Sequence, residues 1–214
     1  MNKPLLVLGA GGHASVLVEI LRRQGRTPMA MIAPHLEAGC TALANIPCWH
    51  DEDKILSLSP DEVELVNGIG SLPGHRLRAE LFARYQALGY HFARVVSPQA
   101  IVSDYVQLTE GVQVMAGAII QTGARVGPNT IINTGAIVDH DCQIGADNHI
   151  APGAVLSGGV MTGARVHVGT GAAIIQGIII GNDTVVGAGA TVTRSLDAAR
   201  IAFAARGSVG QVKQ

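Results

Sequence analysis

The segment Val126-Gly-Pro-Asn-Thr-Ile-Ile132-Asn-Thr-Gly-Ala-Ile-Val138-Asp-His-Asp-Cys-Gln-Ile144 brings an aliphatic residue back at every sixth position. The register extends in both directions, through Val96, Val102, Leu108, Val114 and Ile120 before it and Ile150, Leu156, Val168, Ile174, Ile180, Val186 and Val192 after it, with Thr162 the only break. A period of six is neither the 3.6 of a helix nor the 2 of an ordinary strand, and a fixed repeat of this kind indicates a solenoid. The fourth residue after each aliphatic is small or β-branched (Ala118, Ala124, Thr130, Ala136, Cys142, Ala154, Val160), with Asn148, Ile178 and Leu196 less regular. Two inward positions per hexad therefore build a narrow core. Gly follows the aliphatic at Gly127, Gly145, Gly163, Gly169, Gly181 and Gly187. These glycines are expected at corners whose φ is cheap only without a Cβ. About a hundred residues here contain no amphipathic helix that could serve as a crossover, which argues against a wound parallel sheet.

Composition agrees with a solenoid. Of the 214 residues 48% are hydrophobic and only 3% aromatic, so the core is aliphatic. Fifteen basic and 16 acidic residues give a net charge of −1 with no long basic run, which disfavours nucleic acid and anionic membrane as partners. Apolar runs are short, and Leu5-Leu-Val-Leu8 is too brief for a signal segment, so a cytoplasmic location is expected. Cys40, Cys48 and Cys142 form no C-x-x-C pair, and Cys142 falls at an inward position as a core thiol.

The first 95 residues have a different texture. Leu5–Leu8 reads as a strand, Gly9-Ala-Gly-Gly-His13 as a turn, and Ala14–Gln24 as a helix. Strands follow at Met29–Ile32, Ile46–Trp49, Val63–Val66 and His91–Val95, with helices from Asp51 and over Gly74–Leu88. That alternation predicts a small parallel α/β domain over 1–95, then a β-helix over 96–197 and a tail over 198–214. Gly9-x-Gly11-x-x-Ala14 fits a loose dinucleotide fingerprint, in which bare N–H groups and a helix N-terminus face a diphosphate. The second strand ends Ile32-Ala-Pro-His35, without the acidic residue of a nicotinamide site. His75, Arg76 and Arg78 open a helix near the Gly70 loop, either as a phosphate contact or as a solvated face. Trp49 is expected to pack within the small domain. His149 and His167 lie 18 residues apart and stack on one outer face of a three-hexad coil. No third histidine is in phase with them, so no metal is expected.

Three motifs together, Gly9-Ala-Gly-Gly-His-Ala14, Gly68-Ile-Gly-Ser71 and Ile132-Asn-Thr-Gly-Ala-Ile-Val-Asp-His-Asp-Cys142, resemble the nucleotide-sugar acetyltransferases of the left-handed β-helix, hexapeptide-repeat class. That group acetylates the 4-amino group of nucleotide-linked 4-amino-4,6-dideoxyhexoses and includes sialic acid O-acetyltransferases. The resemblance implies a Rossmann-like nucleotide-sugar domain, a left-handed β-helix that forms a homotrimer, and acetyl-CoA lying between neighbouring β-helices. It makes His140 the general base and Asp141 the carboxylate that raises its basicity. His149 would contact the thioester arm, Asn133 would line the acceptor side, and the Gly158 N–H would hold the developing oxyanion. Thr170 and Ala188 would line the pantetheine, and Gly11, Gly12, His13 and Gly70 the nucleotide-sugar loops. An imidazole with a pKa near 6.5 pushed up by a carboxylate suits removal of a proton from an attacking amine, with no covalent enzyme intermediate. O-acetylation of a sialic-type sugar would use the same base and donor. A metal-dependent or non-catalytic hexapeptide scaffold is the reading from another class, which the dedicated nucleotide-type domain argues against. Two departures stand out. Ala33-Pro34 replaces an acidic pair that touches the nucleotide, so discrimination among bases is expected to be modest. Ala202-Phe-Ala-Ala-Arg206 replaces the closing Gly-x-Pro-Ala-Lys/Arg turn over CoA.

Overall fold

A computed structural model of the chain describes residues 3–34 and 41–205. His35, Cys40 and Arg206, each singled out above, lie outside them. The chain opens with a four-stranded parallel sheet of β1 (Leu5–Leu8), β2 (Ala30–Ile32), β3 (Cys48–Trp49) and β4 (Glu64–Asn67), in the order β3-β2-β1-β4. Helices α1 (Gly12–Arg23), α2 (Asp53–Leu56) and α3 (Leu77–Ala87) connect and flank it. β1 is wholly buried, as a strand covered on both faces must be. The segment expected as a strand over His91–Val95 divides instead: Phe92 makes only a single bridge to Leu65, and Val95–Val96 already belongs to the first coil. Backbone bonds Leu65 N–H to His91 O and Ala93 N–H to Leu65 O hold the crossing segment. Trp49 packs at the edge of the small domain's second core cluster.

From Val95 the chain winds as a left-handed parallel β-helix. Each hexad contributes a two-residue strand, and three hexads close a triangular coil. Registers such as Ile131↔His149↔His167↔Val185 place equivalent residues 18 positions apart. The three faces are designated by their outward residues. Face I carries Ile101, Ile119, Ile137, Val155, Ala173 and Thr191. Face II carries Gln107, Arg125, Gln143, Met161 and Ile179. Face III carries Val95, Gln113, Ile131, His149, His167, Val185 and Ile201. Both inward positions of the repeat fill one continuous aliphatic core. The irregular positions are internally satisfied: Asn148 Nδ2 donates to Thr162 Oγ1 at 2.6 Å and Val166 N–H donates to Asn148 Oδ1 at 2.6 Å. Thr162, the break in the aliphatic register, therefore exists to pair with Asn148 one hexad-row away, which removes the cost of burying either alone.

The reason for the glycines after the aliphatics differs from expectation. None of Gly127, Gly145, Gly163, Gly169, Gly181 and Gly187 has a positive φ. A Cβ on Gly145 would instead stand 2.2 Å from Gly163 O, and one on Gly127 2.5 Å from Gly145 C, so these residues are small because the next coil's backbone lies against them. The left-handed conformation falls two residues later. Every sixth residue from Gly111 to Gly189 has φ between +56° and +75°, with Asn129, Asp141, Asp147, Arg165 and Asp183 among the glycines.

A buried polar network joins the small domain to faces II and III. Arg78, 5% exposed, donates through Nη1 to Asn67 O (2.9 Å) and Ile69 O (2.7 Å) and through Nε to Asn129 O (3.2 Å). Asn67 Nδ2 donates to Asn129 Oδ1 at 3.1 Å, and Asn129 Nδ2 to Asp147 Oδ1 at 2.7 Å. Gln113 Nε2 donates to Asn67 O at 2.8 Å, leaving its Oε1 to accept from His13 Nε2–H at 2.8 Å. His149 Nδ1–H donates to Ser71 O at 3.0 Å, which pins the Gly68–Ser71 loop to face III. Apolar residues complete the joint, with Val95, Met115 and Ile131 of face III and its neighbouring edge packed in one cluster with α1. Among the described residues no helix is long and apolar enough to cross a membrane.

Two outcomes follow from this architecture. Gly145→Ala is expected to destabilise by about 1–3 kcal/mol through overpacking against the next coil, whereas Gly153→Asn, at an open corner with φ +66°, should be near neutral because Asn tolerates that conformation; urea unfolding at one fixed protein concentration separates them. His13 and His149 are both held down to about 4, chiefly by burial, with Arg78 also lowering His13 and His167 also lowering His149. Both stay neutral in the fold while the unfolded chain takes up protons near 6.5. Their contribution is therefore complete above that pH and is lost as pH falls from 6.5 through about 4. Thermal unfolding of the wild type should drop across that window by the equivalent of several kcal/mol, about 3 for each histidine, and His13→Gln should show a shallower decline.

Candidate active site

The residues implicated from the sequence fall into three places. His140 and Asp141 stand on the edge between faces I and II, at the corner that follows Val138. The positive φ of Asp141 (+60°) turns its carboxylate back on its neighbour, so that Oδ2 lies 2.9 Å from His140 Nδ1. A carboxylate only accepts, so Nδ1 carries the proton and Nε2 is left with its lone pair. The His140 pKa is raised, first by that hydrogen bond and then by the charge of Asp139. Gly158 lies one coil further along the same edge, and a Cβ there would stand 2.4 Å from His140 Nε2. Only glycine leaves room in front of the basic nitrogen. Gly159 N–H donates to His140 O at 2.9 Å and fixes the spacing of the two corners.

Asn133, Thr170 and Ala188 lie on the edge between faces III and I. Asn133 Oδ1 accepts from Thr134 N–H at 2.8 Å, and its Nδ2 donates to His149 Nε2 at 2.9 Å. With Nδ1–H on Ser71 O, both His149 nitrogens are engaged within the chain. The His149 and His167 rings stack edge to face with centroids 4.9 Å apart, the rung spacing of the coil. Among the described residues no group of three or more His, Cys, Asp or Glu could hold a metal ion.

The third place is the C-terminal end of the small sheet, where Gly11 caps α1 and Gly12 opens it. The Gly9 and Gly68 turns meet there at the switch point between β1 and β4. Gly68 has no room for a side chain, since a Cβ would lie 2.6 Å from Leu8 O and 2.9 Å from Ala14 Cβ; a Cβ on Gly70 would lie 3.7 Å from His13 Cβ. A cavity of about 280 Å³ opens beside them, walled by Ile32, Ile69, Leu77 and Leu81. Its polar side chains are His50, Glu52 and Tyr85. His13 itself is turned away from this cavity toward Gln113.

Two sequence readings need correction. Arg78 is neither a solvated helix residue nor an open phosphate contact: it is the buried strut of the domain joint. Burial lowers its pKa to about 9, with Asp147 opposing the shift. The absence of an acidic residue at Ala33-Pro34 likewise does not leave the pocket without a carboxylate, because Glu52 lines the same cavity from the segment after β3. Position in sequence gave no signal of this; only the packing of β3 against β2 brings residue 52 to the end of β2. A separate cleft of about 210 Å³ lies between the 71–79 segment and the edge carrying Asp147, Arg165 and Asp183. Arg165 and Asp183 close it with a two-pronged ion pair at 2.7 Å.

Comparison with known proteins agrees with this arrangement. Residues 4–85 match the PglD N-terminal domain family, and residues 123–158 the bacterial transferase hexapeptide (six repeats) family. No curated protein matches the chain. Among solved structures the chain is similar to a His-to-Asn variant of perosamine N-acetyltransferase from Caulobacter crescentus in complex with CoA and GDP-perosamine, with 38% identity over 92% of each chain and a TM-score of 0.83. It is similar to the acetyltransferase domain of PglB from Neisseria gonorrhoeae in complex with acetyl coenzyme A, with 31% identity over 92% of this chain and 94% of that one and a TM-score of 0.83. WeeI from Acinetobacter baumannii matches at 26% identity over 94% and 96% with a TM-score of 0.81. Similarity at this level runs through both the α/β domain and the β-helix, and the chain belongs to the hexapeptide-repeat nucleotide-sugar acetyltransferases.

Proposed function

We propose that this acetyltransferase moves the acetyl group of acetyl-CoA to the 4-amino group of a nucleotide-linked 4-amino-4,6-dideoxyhexose, with His140 as general base. The observation that carries the reading is the 38% identity over 92% of the chain to an enzyme bound to CoA and GDP-perosamine, an amino-sugar nucleotide. The His140–Asp141 pair supports it chemically. The amine nitrogen attacks the thioester carbonyl carbon while His140 Nε2 takes up its proton, and the CoA thiolate leaves as the tetrahedral centre collapses. Asp141 holds Nδ1–H and stabilises the imidazolium, so Nε2 faces the reacting atoms. The negative charge that develops on the thioester oxygen meets the backbone N–H of Gly158, a donor in place before the reaction begins. Asn133 supplies its second Nδ2 hydrogen on the acceptor side, beside the His149 ring at the thioester arm. Thr170 and Ala188 present backbone along the pantetheine, and Gly11, Gly12, His13 and Gly70 form the nucleotide-sugar loops.

The working unit in this reading is a homotrimer. Face I presents an apolar ladder of Ile101, exposed, and Ile119, Ile137 and Val155, half-buried, which calls for a covering partner. It is flanked by the His140–Gly158 edge on one side and the Asn133–Thr170–Ala188 edge on the other. Within one chain those edges are kept apart by the full width of the face. Three-fold closure through face I sets the first edge of one protomer against the second edge of its neighbour, and leaves no contact open.

Light scattering at micromolar concentration should give three times the 22.1 kDa chain mass, and a monomer mass would overturn the inter-subunit site. His140→Ala should lower turnover by roughly 10²- to 10⁴-fold with CoA affinity nearly unchanged, read as free-thiol release with GDP-, UDP- and dTDP-linked 4-amino sugars. Asp141→Asn should cost less. Its acid limb should also move to lower pH: with the carboxylate bond gone, the imidazolium loses its stabilisation, the His140 pKa falls, and the basic form persists further into acid.

A further inference from the structure

We propose that Glu52 reads the base of the nucleotide and selects guanine; this rests on the nucleotide-sugar reading given above. The cavity of about 280 Å³ at the end of β2 is small for a ligand pocket and suits one heterocycle. Its walls of Ile32, Ile69, Leu77 and Leu81 are apolar, as the faces of a planar ring require. The selective part is the hydrogen-bonding capacity that remains after internal bonds are made. The Tyr85 hydroxyl is spent on Glu52 Oε1. His50 Nδ1–H is spent on Ala33 O at 3.0 Å, which leaves Nε2 as an acceptor. Ala33 N–H donates to Trp49 O at 3.0 Å, and Pro34 has no N–H to give. Glu52 also accepts from Arg84 Nη1 at 3.0 Å. A carboxylate has about four lone-pair directions, so two remain for a ligand.

Among the described residues, the side chains therefore offer the base acceptors and no free donor. Guanine carries two adjacent donors on one edge, N1–H and the N2 amino group, and a carboxylate accepts both side by side as a charge-assisted pair. Uracil and thymine carry a single N3–H between two carbonyl oxygens, which would face the carboxylate lone pairs with no donor to meet them. Adenine sets an amino group beside a bare N1, which again opposes lone pair to lone pair. A site that offers two acceptors side by side favours the ligand that brings two donors, because any other base sets a lone pair against the half-buried carboxylate. The acidic pair missing at Ala33-Pro34 is thus replaced from the segment between β3 and α2.

The test is calorimetric titration of the full chain with GDP, UDP, dTDP and ADP, for the wild type and for Glu52→Gln and Tyr85→Phe. The wild type should prefer GDP by at least roughly tenfold, and Glu52→Gln should weaken GDP by roughly 10- to 100-fold while UDP and dTDP hold or tighten. Tyr85→Phe removes the internal partner but keeps the carboxylate, so the GDP preference should survive. A wild type that binds all four alike, an equal loss of all four in Glu52→Gln, or loss of the preference in Tyr85→Phe overturns the assignment and leaves the nucleotide-sugar reading standing. Absence of binding for every nucleoside diphosphate overturns both.

Discussion

A left-handed backbone corner at every sixth residue is the constraint on which the rest of the molecule depends. From Gly111 to Gly189 that position never leaves positive φ, even where it is Asn129, Asp141, Arg165 or Asp183. Each corner turns the chain by one side of a triangle, and the fixed interval makes successive coils superimpose. The superposition in turn demands bare backbone two residues earlier, where Gly145 and Gly163 pass within a distance no Cβ would tolerate. Conformational strain at one position and steric exclusion at another are thus two sides of the same stacking. The aliphatic core follows, because stacked coils bring Val126, Ile144 and their equivalents into unbroken columns.

The same corner serves the chemistry. Non-glycine residues pay a conformational cost in that region, and Asn and Asp pay least. Asp141 occupies one such corner, and the turn that closes the coil aims its carboxylate at His140 Nδ1. Asn129 and Asp147 occupy two more, and there the Asn129 side chain meets Asn67 of the small domain and donates to the Asp147 carboxylate behind it. A structural requirement for left-handed residues is met by types that also carry function, at an edge whose position along the coil is set by the repeat.

The joint between the domains is polar where it is most buried. Arg78 spends its bonds on three backbone carbonyls, two of which bracket the Gly68 turn. Removing one member would leave the others buried without partners, so the network specifies a single arrangement of the nucleotide loops on the β-helix more than it adds net stability. His13 and His149 belong to this joint as neutral rings, each with a defined tautomer set by a group that can only accept or only donate.

The six-residue period, the inward pairs of positions and the α/β texture of the first 95 residues were determined by the sequence alone, because each depends on local spacing that any chain register preserves. The adjacency of His140 and Asp141 was legible for the same reason. The role of Gly145 and its equivalents was not, since close approach is a relation between residues 18 apart. Arg78 read as either a phosphate contact or a solvated helix residue, and became a strut only when the β-helix closed over it. Glu52 offered no motif at all. It reaches the end of β2 because β3 pairs beside it, and hydrogen bonds such as those of Tyr85 and Ala33 decide which groups remain available. Sequence carries what repeats along the chain; what a side chain faces, and which of its bonds are already used, was decided only when distant segments were brought together.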